Sequence, residues 1–365
     1  MASQPGSNLM KRDLFDEAHY LRVYPDVAQA VREGRIASGY DHFRQHGQKE
    51  GRFGSADEMP EGKGAVAFFF FNRPEWTRLS FERIRDYAPA RLLLIADGPR
   101  TPEEGRRVEE CRAIVERIDW DCEVSRHYSD RNLGCRERIS TGLRWVFGQV
   151  EAAMILEDDC VAHPDFFEFC HAALHRYRDR PEIMHVSGST FVIPPNCHAS
   201  AWFSRHSDIW GWATWRRAFE QYDVLMKDWR WRRWWPSAWL GDTKLERAYW
   251  RRCFDKIWCG EIDTWDYQWH YAVMRRRALS VVPRVNLITN IGHGPTATHT
   301  HSSGVDVDLQ ATGPLGRLML PLETKRDTDM DTLFFMRRYA LGDLPPIGRI
   351  TVKSLENRKP PDPEA

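Results

Sequence analysis

Three consecutive acids, Glu157, Asp158 and Asp159, stand directly behind the apolar run AAMIL, with no basic residue beside them in sequence. Carboxylates crowded in this way repel one another, and a bound hard cation relieves the repulsion. Mg²⁺ and Mn²⁺ are held by one or two carboxylates together with substrate phosphates and water. Along an extended chain Glu157 and Asp159 point to one side and Asp158 to the other, so at most two of them face the same ion. The competing reading is that the acids cap the next helix, but Pro164 and Asp165 mark that helix start several residues later. A second pair of acids, Asp263 and Asp266, lies in DTWDYQWHYAV. There Asp263 reads as a helix N-cap and Asp266 as an acid favoured by the positive helix end. A carboxylate mounted at that place is also suited to take a proton from a hydroxyl.

Other polar residues fall at the ends of apolar runs. Asn72, Arg73, Asp97, Gly98, Pro99 and Arg100 follow the first two, where an open parallel sheet binds its ligands. Asp97 suits a base N–H or a ribose hydroxyl, and Asn72 and Arg73 suit the flanks of a ring; Asp-Gly-Pro is equally a strong turn former. No glycine-rich loop follows the first run, so any phosphates must be met by metal and side chains. His293, His299 and His301 lie in NIGHGPTATHTH, a short cluster that reads either as a metal ligand set or as solvated loop residues. Thirteen of the 16 tryptophans come after residue 200. Trp229, Trp231, Trp234, Trp235 and Trp239 interleave with Arg230, Arg232 and Arg233. Three readings compete for that segment: stacking platforms for a sugar, a patch resting on anionic lipid, or the core of a loop-rich lid.

The elements that must position these residues follow from hydrophobic period. The runs AVAFFFF, RLLLIA, CEVSRHY and AAMIL alternate with amphipathic stretches whose apolar stripes include Ile84 and Tyr87, then Val108, Cys111 and Val115, then Ile139, Leu143 and Val146. Near-continuous apolar strands joined by helices predict an α/β fold with a mostly parallel sheet covered on both faces. Pro74 and Pro102 fit first-turn positions, and Thr101 with Glu104 fits a helix start. Further helices are expected near 211–222, 243–258 and 265–277, followed by the extended segment SVVPRVNLITNIG. Residues 13–53 read as a small helical module and 54–64 as a linker. Residues 65–310 form the main domain, 311–365 an extension packed on it, and 1–12 a disordered start. The chain has 365 residues with 52 Lys+Arg against 52 Asp+Glu, a balance that argues against generic nucleic-acid binding. Eight scattered cysteines without a CxxC pair suggest reduced thiols, and the absence of an apolar leader or spanning run suggests a cytoplasmic protein.

The stretches FFFFNRPE, ADGPR, RNLGCRERISTGLRWVF, MILEDDC, IWGWATWRRAF, DTWDYQW and NLITNIGHGPTATHT run in order from residue 65 to 301. Together they resemble bacterial nucleotide-sugar glycosyltransferases of the GT-A fold, related to the large inverting family-2-like group and distantly similar to the N-acetylglucosaminyltransferase I type. The leading segment is similar to a short helical module of bacterial surface-polysaccharide proteins. The resemblance implies that Glu157-Asp158-Asp159 is the metal motif, with Asp159 the direct ligand and Asp158 nearer the ribose. It implies that Asn72, Arg73, Asp97 and Arg100 hold the nucleotide and that Asn132, Gly134 and Arg138 lie beside the donor phosphates or sugar. Asp266 becomes the candidate base, with Asp263 beside it. His299 is expected as a further metal ligand, because His293 stands where the family usually carries an aromatic. Trp210, Trp212 and Trp265 are expected to contact the acceptor.

These implications define a divalent-cation-dependent transfer, with Mn²⁺ or Mg²⁺, from a nucleotide sugar (a UDP-sugar by default) to a glycan, glycolipid or glycoprotein hydroxyl, with inversion. Peripheral contact with the inner face of the membrane is a further expectation, and no nucleic acid is expected. The rival readings are a sugar-phosphate nucleotidyltransferase, which would need the missing glycine-rich loop, and an inactive glycan-binding protein.

Overall fold

The computed structural model describes residues 12–193, 199–292 and 312–340. The expectations for the first eleven residues and for the tail beyond 340 lie outside them. The strands are β1 (Val66–Phe70), β2 (Arg91–Ala96), β3 (Glu123–Tyr128), β4 (Ala152–Glu157), β5 (Cys160–Ala162), β6 (Ile183–Ser187), β7 (Ala201–Ser204), β8 (Trp212–Trp215), β9 (Leu279–Pro283) and β10 (Ile288–Asn290). Eight of them form one sheet in the order β3-β2-β1-β4-β8-β6-β9-β7, and β5 pairs with β10 in a two-stranded ribbon. β1 runs parallel to both β2 and β4, and β2 parallel to β3, so their carboxyl ends share one edge. The protein is thus α/β with a mostly parallel sheet, as the alternating runs predict.

The helices are α1 (Glu17–Val23), α2 (Pro25–Arg32), α3 (Gly39–His42), α4 (Gln48–Glu50), α5 (Pro74–Tyr87), α6 (Pro102–Val115), α7 (Cys135–Gln149), α8 (Pro164–Arg176), α9 (Arg216–Phe219), α10 (Trp229–Arg232), α11 (Lys244–Trp258), α12 (Asp266–Arg275) and α13 (Thr328–Phe335). Successive residues of each strand feed opposite cores. Phe68, Phe70, Leu92 and Leu94 pack with Phe81, Cys111 and Phe166 on one face. Ala67, Phe69, Leu93 and Ile95 pack with Ile139, Leu143 and Trp269 on the other. Both faces being covered, every position of β1 is buried, which is why the run reads as continuously apolar instead of alternating.

The expected helix over 211–222 is a correction. Trp212–Trp215 is a strand, antiparallel to β4 with Ile155 opposite Trp212, and only Arg216–Phe219 is helical. Its aromatic and β-branched residues fit a central pleated position between β4 and β6. On α5 the expected Ile84 and Tyr87 are buried together with Thr77 and Phe81, while Leu79 is exposed.

The N-terminal helices hold a small core of Tyr20, Tyr24, Val27 and Phe43. They dock on the chain near residue 320: Leu320 donates its N–H to the Gly51 carbonyl at 2.9 Å. Gly51 has φ 77°, and a Cβ there would lie 2.4 Å from the Leu320 carbonyl carbon, so glycine meets both the left-handed conformation and the close approach.

Candidate active site

β4 delivers Glu157, Asp158 and Asp159 to the shared carboxyl edge, next to the end of β1. The cation that the acids lack in sequence comes from that neighbour. Arg73 pairs with Asp158 through Nη2, donates from Nε to Oδ2 at 3.3 Å, and reaches Asp159 at 3.4 Å. Asp158 is 2% exposed, and it also accepts the Phe71 N–H at 3.4 Å. Burial pushes Asp158 up to about 6, while the Arg73 charge pulls it down. Trp76 lies beneath the guanidinium, 4.3 Å from ring centre to Cζ. Arg73 and Asp158, expected at the nucleotide, therefore neutralise each other and fix the acid loop.

Asp97, at the end of β2, is buried and accepts the N–H groups of Gly98, Leu133 and Gly134 at 2.9 to 3.1 Å. Burial raises its pKa and these donors oppose the rise. Its carboxylate is taken up by the loop that starts α7, where Gly134 adopts φ 77°. Asn132 donates to the Gly98 carbonyl at 3.0 Å. Asn72 donates to Glu104 at 2.7 Å, and Glu104 also accepts the Arg100 N–H at 2.6 Å. That last bond departs from the expected capping pattern by one residue. Arg138 is buried and bonds His127 through the ring Nδ1 at 2.6 Å and the carbonyl at 3.1 Å. The expected donor-side residues thus gather at one sheet edge, where their polar atoms brace the loops between β1, β2 and α7.

Among the described residues Glu157, Asp159 and Asp266 have no salt bridge except the long Arg73 contact to Asp159. Burial raises the Glu157 pKa well above its ordinary value, and the charges of Asp159, Asp158 and Asp266 add to the rise against Arg73. Cys135, the first residue of α7, is exposed by surface area, yet crowding around its sulfur and then the charges of Glu157, Asp266, Asp159 and Asp263 push its thiol up. One thiol at a helix start thus feels acids from β4 and from the start of α12. Asp266 opens α12, with Thr264 donating its hydroxyl to Oδ1. Asp263 is not the N-cap: Trp265 holds that position, and exposed Asp263 pairs with Arg136 at 2.8 Å.

Two carboxylates suffice for a hard cation that arrives with a diphosphate, and Glu157 and Asp159 have the oxygen chemistry for it. Among the described residues no set of three His, Cys, Asp or Glu side chains is arranged to hold a metal ion. His293, His299 and His301 lie outside the described residues. The chain leading to them passes close to Asp159: a Cβ on Gly292 would meet its Oδ2 at 2.5 Å, and Ile291 donates its N–H to the Asp159 carbonyl at 2.9 Å.

Beside Asp266 lies a cavity of about 130 Å³, lined by Asp208, Tyr249, Tyr267, His270, Arg338 and Tyr339 among others. Arg338 donates to buried Asp208 at 2.7 Å. Ser207 donates its N–H to His270 Nδ1 at 3.3 Å, which leaves the proton on Nε2, and that buried nitrogen has no partner among the described residues. Burial lowers the His270 pKa, so the ring is neutral. None of these cavity residues except Asp266 was singled out from sequence, because they come from four distant segments with no shared motif.

The three tryptophans expected at the acceptor are interior. Trp212 and Trp265 are buried and stack at 6.0 Å, and Trp210 is buried with Arg338 4.3 Å above its ring. Packing closes their faces to an acceptor, a correction to the sequence reading. In the Trp- and Arg-rich segment, Trp229 and Trp239 are core, while Trp231, Trp234 and Trp235 are exposed.

No family model matches the chain, and no curated protein does. A solved structure of GalNAc-T7 with UDP, GalNAc and Mn²⁺ is similar over 62% of this chain and 43% of that one, at 11% identity and a TM-score of 0.36. The chain therefore spans less than half the length of that protein, and a likeness of this size does not decide an activity.

Proposed function

We propose that this chain is a metal-dependent glycosyltransferase, moving a sugar from a nucleoside-diphosphate sugar, a UDP-sugar by preference, to a hydroxyl of a glycan, glycolipid or glycoprotein, with inversion. What supports the reading is that Glu157 and Asp159 stand behind β4 at the carboxyl edge of the parallel strands, with the charge of Asp266 acting on Glu157. One set of acids suits a cation and its diphosphate, and the other suits a proton acceptor. Asp159, with Glu157, would hold Mn²⁺ or Mg²⁺, which when bound neutralises the charge growing on the leaving diphosphate.

The residues divide the work as follows. Asp266, oriented by the Thr264 hydroxyl, takes the proton from the acceptor hydroxyl as that oxygen attacks the anomeric carbon from the face opposite the diphosphate. The N-terminus of α7, whose cap Gly134 supplies no side-chain hydrogen bond, would favour an anionic donor. Asp97 and Glu104 hold the surrounding loops in register. The cavity beside Asp266, with its tyrosines, His270 and Arg338, offers hydrogen bonds to a hydroxyl-rich acceptor.

A thermal-shift screen of nucleoside diphosphates and nucleotide sugars with Mn²⁺ tests this reading. A ligand at a hundred times its Kd stabilises by about 2.7 kcal/mol, so one nucleotide class should raise Tm with Mn²⁺ and lose the effect in EDTA. No shift with any of them overturns it.

A further inference from the structure

Trp231, Trp234, Trp235 and Trp258 are 61%, 78%, 52% and 41% exposed. Such residues are rarely left so open unless a surface meets them. The four share one patch. Arg233 lies over both Trp234 and Trp258, at 5.4 and 5.9 Å, while Arg230 covers Trp231 at 4.5 Å and Arg232 covers Trp235 at 4.8 Å. Between residues 225 and 235 the chain carries Lys227 and these three arginines against Asp228; Arg232 pairs with Asp228 at 2.7 Å and Arg233 with Asp255 of α11 at 3.1 Å, and no ion pair of Lys227 or Arg230 is seen among the described residues.

The patch is held rigidly. Buried Trp229 donates its indole N–H to Asp255 of α11 at 2.9 Å and packs edge-on against Tyr271 of α12 at 5.7 Å. Asp228 accepts from the Tyr271 hydroxyl at 2.7 Å and pairs with Arg275 at 3.0 Å. Arg233 pairs with Asp255 at 3.1 Å.

We propose that this patch docks on a bilayer surface bearing anionic phospholipid headgroups. Indole rings settle at the boundary between headgroups and acyl chains, and guanidinium groups meet lipid phosphates. Charge complementarity separates this occupant from the others. A guanidinium lies over one face of each of the four rings, so the patch presents cation and indole together, as an anionic headgroup above an acyl boundary requires. A second copy of the chain, meeting the same patch about a two-fold axis, would set arginines against arginines. The patch rests on α12, the helix that Asp266 opens, so docking would set the candidate site near the membrane surface. The inference does not depend on the proposed chemistry.

Flotation of the full chain with vesicles of phosphatidylcholine alone, or with phosphatidylglycerol at three parts in ten, tests it. Binding is expected only to the anionic vesicles, falling several-fold when salt is raised to about 0.5 M, where the screening length shrinks. W231S/W234S/W235S should lower the bound fraction at least tenfold and R230E several-fold, with the unfolding midpoint unchanged in both. These results support the proposal. Failure of the unaltered chain to float, or equal flotation of the variants, overturns it. So does finding that the triple variant instead abolishes self-association, heparin binding or glycan binding in a chain that ignores vesicles.

Discussion

Replacing Arg73 with Met removes the guanidinium that neutralises Asp158 and keeps much of the packing over Trp76. Breaking a buried ion pair by removing one partner costs about 3–5 kcal/mol. Two features of this pair reduce the expected loss. The Arg73 side chain is 27% exposed, so solvent already weakens its charge, and Asp158 keeps the Phe71 N–H at 3.4 Å. Asp158 also has an escape: its pKa is about 6 with Arg73 present, and loss of that charge moves it higher, so the carboxyl can take up a proton near neutral pH. The expected cost is therefore about 2–3 kcal/mol at pH 7.5, shrinking at pH 5, where the carboxyl is largely protonated in both proteins. Urea unfolding followed by tryptophan fluorescence at both pH values measures it. In an Asp158→Asn background the same replacement should cost less, since the charge then left without Arg73 is that of Asp159, a longer contact at 3.4 Å on a more exposed side chain. A loss under about 1 kcal/mol at pH 7.5, or an equal loss in the Asn background, would refute the role given to the pair.

Asp266→Asn should lower kcat by about 10²–10⁴-fold with folding unchanged; turnover near that of the unaltered protein, with a working donor and acceptor, removes Asp266 from the mechanism. Asp159→Asn should abolish the Mn²⁺-dependent stabilisation by nucleotide while leaving the metal-free Tm in place, and a retained metal-dependent shift would place the cation elsewhere. Buried Asp331, which accepts the Ser204 hydroxyl at 2.5 Å, is pushed up to about 7 by burial against the pull of Ser204 and Arg326. A carboxyl whose folded pKa is raised stabilises the fold below its unfolded pKa, and that contribution disappears as pH climbs through the folded value. Stability should thus fall between about pH 4 and 7, and Asp331→Asn should flatten the slope in denaturant titrations; an unchanged slope contradicts the assignment.

Much of the scaffold was legible because its signals are local. β1, β2 and β4 are short apolar runs bounded by polar turns, and the starts of α5 and α6 carry Pro74 and Thr101 where first-turn and N-cap residues belong. β8 was misread as helix because Trp, Ala and Thr carry no clear period over four residues. Its place between β4 and β6 is a pairing choice made by distant strands. The acids of the candidate site were visible from their crowding, and Asp266 from its helix start. The partners of those acids were not, since Arg73 lies 85 residues before Asp158 in the chain. The tryptophans were mis-sorted for a similar reason: residue type announces aromatic surface, while neighbours decide whether Trp212 is interior or Trp234 open.

The sequence alone determined the alternation of strands and helices, the covered parallel sheet, and the concentration of acids behind β4, because each depends on residues within one or two turns of one another. Only the tertiary structure decided that Arg73 neutralises Asp158, that Asp97 is taken up by the loop before α7, and that a cavity built from four segments adjoins Asp266. Electrostatic and packing contacts act through space, and a chain folded around several cores brings together groups whose order along it says nothing of their distance.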